Sequence, residues 1–406
     1  MQSLSDALKL MDRVLAASER PTSSGLPLAL LSFANFAVGM GAFVVIGVLS
    51  PVASDLGISK ADAGWLMTAY AIAYALSSPI LVAITGGFGR LRVLITGTLL
   101  FGAGALAATL APTFGWLLAA RAVMALGGGL VTPVAASISV VLVAPERRGR
   151  ALAIVFGGLT LAQVFGVPVG AWLGYQFGWR VAFDVVALLA VLAAAALAAG
   201  LPRSIAVPRA SLALLGNVLA DGALVIAISF TALFIGGLYV FYTFLAPLLE
   251  ARYGLGRDGV TAMLALLGCG AVAGNALGGM LTDRIGPQRT LVLLCLIQLV
   301  ALPALSLLTP PLLAMGAAIT LWSVCSWSFM VAQQARLAVL APDRVAVVFA
   351  LNAAAIYFGG SIGSAIGGLV LKRFDFAPLG TAGALLVLVA LVSLWAVRPK
   401  PAPIVQ

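Results

Sequence analysis

Residues 278–291, GGMLTDRIGPQRTL, echo residues 81–94, LVAITGGFGRLRVL, and the spacing of that echo decides the fold. Gly286, Arg289 and Leu291 stand 197 positions after Gly89, Arg92 and Leu94 (291 − 94). The same offset carries Ala144, Pro145, Glu146 and Arg147 onto Ala341, Pro342, Asp343 and Arg344, and Gly166 and Gly170 onto Gly363 and Gly367. Chance matches scatter in register, so a shared offset over more than half of each copy marks a duplicated unit. Two like halves in an apolar chain point to the repeat architecture of transporters.

Composition removes the rival classes. The 406 residues are 62% hydrophobic and 9% charged, with a mean hydropathy of +1.14. That leaves too little polar surface to cover a soluble globule, whereas a bundle in lipid needs little. The net charge of +10 encodes topology and not nucleic-acid binding, because Lys and Arg gather in the short cytoplasmic loops of membrane proteins. Cys269, Cys295 and Cys325 lie in apolar segments without metal-ligand spacing, and no cofactor or metal is expected. The charged N-terminal stretch, with Asp6, Lys9, Asp12, Arg13, Glu19 and Arg20, has no signal-peptide core.

Apolar spans and breakers predict twelve helices, near 27–49, 63–85, 92–111, 114–142, 150–173, 181–200, 220–247, 260–281, 290–308, 311–338, 344–371 and 378–397. Pro51, Pro112, Pro145, Pro202, Pro287, Pro310, Pro311 and Pro342 mark expected ends. The expected domains are a cytoplasmic N-terminal segment 1–25, a six-helix half 26–201, a cytoplasmic linker 202–217, a second half 218–398 and a tail 399–406. Leu4, Leu8, Met11 and Leu15 share a helical face, as an amphipathic surface helix or a frayed tail would. Placing both termini in the cytoplasm gathers Lys9, Arg13, Arg20, Arg90, Arg92, Arg147, Arg148, Arg150, Arg203, Arg209, Arg284, Arg289, Arg344, Arg398 and Lys400 on one side. Lys60, Arg180, Arg252, Arg257, Lys372 and Arg373 remain opposite. The expected fold is an all-α polytopic membrane protein of two pseudo-symmetric six-helix halves.

Six strings carry a family resemblance: FVVIGVLSPVASDLGIS, GWLMTAYAIAYALSSP, RAVMALGGG, FGVPVGAWLGYQFGWRVAF, YVFYTFLAPLLEARYGL and GNALGGMLTDRIGPQRTL. Over nearly the whole chain they resemble the major facilitator superfamily, most closely its drug:proton antiporter branch, the arabinose-efflux-like, chloramphenicol-resistance and purine-nucleoside exporters. The resemblance implies a multi-pass transporter of a bacterial inner membrane, acting as a monomer on a small molecule, with protons as the second partner. It also implies that the first, fourth, seventh and tenth helices line the cavity. Members often carry an acid in the middle of the first helix, where this chain has Gly41 and Ala42, and the chain holds no histidine.

The candidate residues follow. In the loop motif, Asp283 and Arg284 offer charges that pair in one conformation and separate in another, or that merely solvate the loop. Gly286 and Arg289 complete it, with Gly89, Arg90 and Arg92 in the first half, where Gly86 stands in place of the acid. Gly166, Pro168 and Gly170 resemble the branch's antiporter motif; they thin and kink a helix, or form a packing face. Arg121 lies two turns inside the fourth helix, where a charge costs about 2.5 kcal/mol or more unless it meets water, a partner or substrate. Its repeat mate is Ala318; with the glycines after it, it resembles the family's fourth-helix motif, which implies a part in proton transfer or cavity electrostatics, and a structural pairing is the other reading. Asn35, Gln163, Tyr239, Tyr242, Trp322, Trp327, Gln333 and Asn352 are further substrate-cavity candidates, each with interhelical hydrogen bonding as its plainer role. Proton coupling would rest on Asp184, Asp221 or Asp283. The expectation is a non-enzymatic secondary transporter exporting a drug-like compound, sugar or nucleoside against protons by alternating access. A facilitator or importer, and a membrane receptor, are the alternatives.

Overall fold

The computed structural model describes residues 25–144, 147–202, 205 and 212–397. The N-terminal segment up to residue 24, Glu146, Arg203, Arg209, Arg398, Lys400 and the tail therefore lie outside the described residues.

Twelve helices long and apolar enough to cross a membrane occur among the described residues. They are α1 Gly25–Asp55, α2 Lys60–Gly87, α3 Arg90–Thr109, α4 Phe114–Val141, α5 Arg148–Phe177, α6 Trp179–Gly200, α7 Gly222–Tyr253, α8 Arg257–Ile285, α9 Pro287–Leu307, α10 Leu312–Leu340, α11 Val347–Arg373 and α12 Leu379–Ala396. A short helix, Leu212–Leu219, precedes α7. Lipid offers backbone groups no partners, so each apolar stretch closes its own hydrogen bonds as a helix. Local chemistry sets several ends. Thr113 and Asp221 cap α4 and α7 by accepting from Trp116 N and Leu224 N, and Gly286 turns the chain at φ +83° between α8 and α9.

Two predicted ends need correction. The sequence places a stop before Pro51, yet α1 runs through Pro51 to Asp55. Helix α1 is the most enclosed of the spans, and Gly47, whose carbonyl Pro51 leaves unbonded, packs on the backbone of Val167 and Ala171 in α5. Packing on every side overrides a local breaker. Likewise α7 continues past Pro247 to Tyr253. It breaks only at Thr243 and Phe244, where the Thr243 carbonyl would need the N–H that Pro247 lacks.

The duplication is visible in packing. Helix α1 lies on α5 and α6 as α7 lies on α11 and α12; α2 lies on α4 as α8 lies on α10; α3 lies on α6 as α9 lies on α12. The halves meet through α2 with α11 and α5 with α8. Cross-half polar contacts gather toward the end that carries the α1–α2 loop: Ser50, Lys60 and Tyr175 on Glu250, Arg257 on Gln176, Lys372 on Asp62, and Thr68 with Ser361. Toward the opposite end, no cross-half hydrogen bond or ion pair occurs among the described residues. The halves are closed at one end.

Helix α5 contains a wide π-turn over Ala162–Gly166. Pro168 follows it and cannot donate to the Val164 carbonyl, which its ring also crowds, so the turn opens. Gly166 and Gly170 then face Met40 and Val44 of α1 closely enough that a side chain would clash. Gly363 and Gly367 of α11 face Gly236 and Val240 of α7 in the same way. The motif glycines are thus shared scaffold, while Pro168 and its π-turn belong to the first half alone.

Candidate functional site

Four of the sequence candidates converge on one apolar pocket. Tyr239 and Tyr242 of α7 and Trp322 and Trp327 of α10 line it with Leu238, Leu267 and Ser326, around a cavity of about 10 Å³. The α7 tyrosines come together because three residues separate them along the helix. Their rings meet edge to face at 5.4 Å, and Tyr242 meets Trp322 at 6.3 Å. Trp322 is fixed from behind: its indole N–H donates to Gln298 Oε1 (2.7 Å), and Gln298 Nε2 donates to Ser326 Oγ (3.0 Å).

The aromatic surface continues into the other half through residues that sequence reasoning missed. Tyr74 of α2 stacks on Tyr357 of α11 with ring centroids 3.7 Å apart, and Tyr70 lies 6.2 Å from Tyr74. Tyr239 packs on Gly360, one turn along α11 from Tyr357. Five of the chain's seven tyrosines therefore form one array across both halves. The four-residue spacing of Tyr70 and Tyr74 within an apolar helix was the available signal. The hydroxyls of Tyr70 and Tyr242 are buried and have no hydrogen-bond partner, so two donors stand ready in an otherwise dry surface. Gln163, in the π-turn, is buried and likewise makes no side-chain hydrogen bond.

Arg121 borders this array as the cation of the first half. Its guanidinium donates to the carbonyls of Gly41 and Ala42 in α1 (3.1 Å to Ala42) and of Leu66 in α2 (3.2 Å). It also lies 4.3 Å from the centre of the Tyr70 ring, a cation–π contact. It is fully buried and has no carboxylate partner, so its charge is spread over backbone dipoles of the helices it joins. A second buried arginine, Arg336 of α10, was not singled out from the sequence, although it too sits inside a span. It donates to Val397 O (2.8 Å) and Gln333 Oε1 (3.4 Å).

Other candidates make helix-to-helix bonds, with Asn35 Oδ1 buried and left without a partner. Asn35 donates to Val155 O of α5 (3.2 Å). Gln333 donates to Ala227 O (2.8 Å) and Thr231 Oγ1 (3.0 Å), and Thr231 donates to Asn352 Oδ1 (2.5 Å), tying α10, α7 and α11.

The candidate carboxylates lie away from the array. Asp184 is exposed on α6 and makes no hydrogen bond or ion pair. Asp221 caps α7 and pairs with Arg344 at 3.1 Å. Asp283 and Arg284, at the end of α8, are both exposed and unpaired, as is Arg289 at the start of α9. In the first half, Arg92 is exposed while Arg90 is buried, its guanidinium beside Gly86, the position at which the second copy carries Asp283. Every described carboxylate lies in the first or last two turns of a helix or in a loop. The aromatic array holds none.

A family model described as Major Facilitator Superfamily matches residues 31–362, most of both halves. The chain belongs to the major facilitator superfamily. This superfamily member is 31% identical over 364 residues to an uncharacterized MFS-type transporter of Bacillus subtilis, YbcL, covering 90% of this chain and 93% of that one. It is 30% identical over 378 residues to a chloramphenicol resistance protein of Streptomyces lividans, covering 91% of this chain and 95% of the relative. A bacterial homolog of the human lysosomal transporter Spinster, solved in an inward-facing and occupied conformation, superposes with a TM-score of 0.73 at 20% identity, over 95% of this chain and all of that one. At that identity the likeness speaks for the fold alone. The protein is thus a multi-pass membrane transporter of twelve spans and not an enzyme.

Proposed function

We propose that this transporter exports an uncharged aromatic small molecule from the bacterial cytoplasm, in exchange for protons, by alternating access. The observation that carries the reading is the array of tyrosines and tryptophans spanning both halves, with free hydroxyls on Tyr70 and Tyr242 and no carboxylate within it. Stacking faces with a few donors suit a flat, moderately apolar ligand. A buried Arg121 and the lack of an anion disfavour a cation. The chloramphenicol resistance relative agrees with efflux of such a compound. The basic loops favour a cytoplasmic side for the termini and the open end, with the closed end carrying Lys60 facing outward.

One observation favours a second reading, a proton-independent facilitator: Asp184, Asp221 and Asp283 all stand apart from the array. Proteoliposomes with chloramphenicol as the probe decide between the two. With the interior more acidic than the bath, exchange for protons accumulates the probe above its external concentration. Equilibration that ignores the gradient makes the protein a facilitator, and no protein-dependent flux overturns the substrate class.

A further inference from the structure

At the closed end, one carboxylate of the second half serves three donors of the first. Glu250, near the end of α7, accepts at Oε2 from Ser50 Oγ of α1 (2.6 Å) and from Lys60 Nζ at the start of α2 (2.7 Å). Its Oε1 accepts from the Tyr175 hydroxyl of α5. The side chain keeps 17% of its exposure, so water reaches the group without filling the site. Its repeat mate is Ala53; the duplicated scaffold does not require an acid here.

We propose that Glu250 is a protonation site that latches this end of the transporter: ionised, it binds the halves together, and protonated, it releases them. The inference rests on the reading of alternating access between these halves, and not on proton exchange or the substrate.

The neighbouring charges leave Glu250 as the anion for Lys60. Along α7, Arg252 donates to the carbonyls of Ser306 and Leu308. At the start of α8, Arg257 pairs with Asp258 (2.7 Å) and donates to Gln176. At the end of α1, Asp55 pairs with Arg180 (2.5 Å), and on α2 Asp62 pairs with Lys372 of α11 (3.5 Å). Lys60 and the Tyr175 phenol are thus the titratable groups that face Glu250. A proton on Glu250 cancels the charge that holds Lys60 and turns one acceptor oxygen into a donor. Lys60, Ser50 and Tyr175 then compete for the remaining acceptor, and Lys60 is left without a counter-charge in a part-buried site. Opening must break all three bonds together, so a single proton acts on the whole contact.

Distances across the closed end test this in the full-length protein in detergent, where pH acts on both faces and no transport is needed. Spin labels at Ser54→Cys and Ala251→Cys, exposed positions on opposite halves, report the separation once Cys269, Cys295 and Cys325 are replaced by serine. Acidification should raise the widely separated population of the otherwise unchanged protein. Glu250→Gln should show that population at neutral pH, raised up to about fivefold, with little further response to acid. Lys60→Met should also raise that population at neutral pH, and Lys60→Arg should bring it back to the parent level. An acid response in Glu250→Gln equal to that of the parent overturns the proposal, as does an unchanged population in Lys60→Met should the Gln variant not fold. Transport that ignores a pH gradient would defeat proton exchange and leave this measurement standing.

Discussion

The two fully buried arginines, Arg121 and Arg336, show how differently the two halves house a charge in a nonpolar interior. Arg121 of the first half binds backbone carbonyls of α1 and α2 and rests on the Tyr70 ring. Arg336 of the second half binds one carbonyl, that of Val397, lies 5.9 Å from the centre of the Phe230 ring, and otherwise leans on Gln333, which is tied in turn to Thr231 and Asn352. Its Nε has no partner. They are not repeat mates, since the 197-residue offset pairs Arg121 with Ala318 and Arg336 with Ser139. Each half houses its cation at a position that the other half leaves neutral. Backbone acceptors make a rigid cradle that no neighbouring substitution removes; side-chain acceptors make one that can be dismantled piece by piece.

The largest effect should come from Arg121→Ala. It removes the guanidinium bonds to three buried carbonyls and uncouples α4 from α1 and α2, costing roughly 2–4 kcal/mol, read as a lowered thermal midpoint in detergent together with loss of transport. Arg121→Lys should recover part of this, because an ammonium has three donors but lacks the planar fork that reaches all three carbonyls. Arg336→Ala should cost less, about 1–2 kcal/mol, by freeing α10 from the segment after α12. The smallest change is expected for Thr231→Val, which cuts the Gln333–Thr231–Asn352 chain while keeping its shape, at about 0.5–1 kcal/mol. Thermal midpoints of the four variants in one detergent check the order. A larger loss for Arg336→Ala than for Arg121→Ala would reverse the comparison.

Much of the fold was legible because lipid imposes a simple requirement: every span must be long, apolar and helical. The twelve stretches and their duplication followed from that. The misread ends, at Pro51 and Pro247, share one cause. Proline is a local signal, whereas continuation of α1 and α7 depends on enclosure by neighbours that a linear reading does not see. That error hid a functional candidate, for ending the seventh helix at Pro247 left Glu250 in a loop with no assigned task. Arg121 and the aromatic residues of α7 and α10 were visible as polar or large side chains in spans. Tyr70, Tyr74 and Tyr357 were not, because a tyrosine in an apolar helix reads as packing until a partner from the other half is stacked on it. Asn35, Gln333 and Asn352 show the opposite limit: a polar residue in a span announces a hydrogen bond, but not whether helix or ligand receives it.

The π-turn of α5 also settles an angular problem. Gly158 packs on Ser32 and Phe36 of α1, and Gly166, Gly170 and Gly174 pack on Met40, Val44 and Val48. In a regular helix, residues eight apart differ by about 80° about the axis, at roughly 100° per residue. Absorbing one extra residue between Gly158 and Gly166 brings that difference to about 20°, so a single straight seam of glycines lies along α1. Helix α11 has no such widened turn and a shorter seam: Gly359, Gly363 and Gly367 reach Ala232, Gly236 and Val240 of α7 over eight residues, a drift of about 80°, whereas Gly158 to Gly174 covers sixteen and would drift by about 160° uncorrected. The first half thus extends its glycine seam about two turns further than the second, and the widened turn limits the drift of the longer seam.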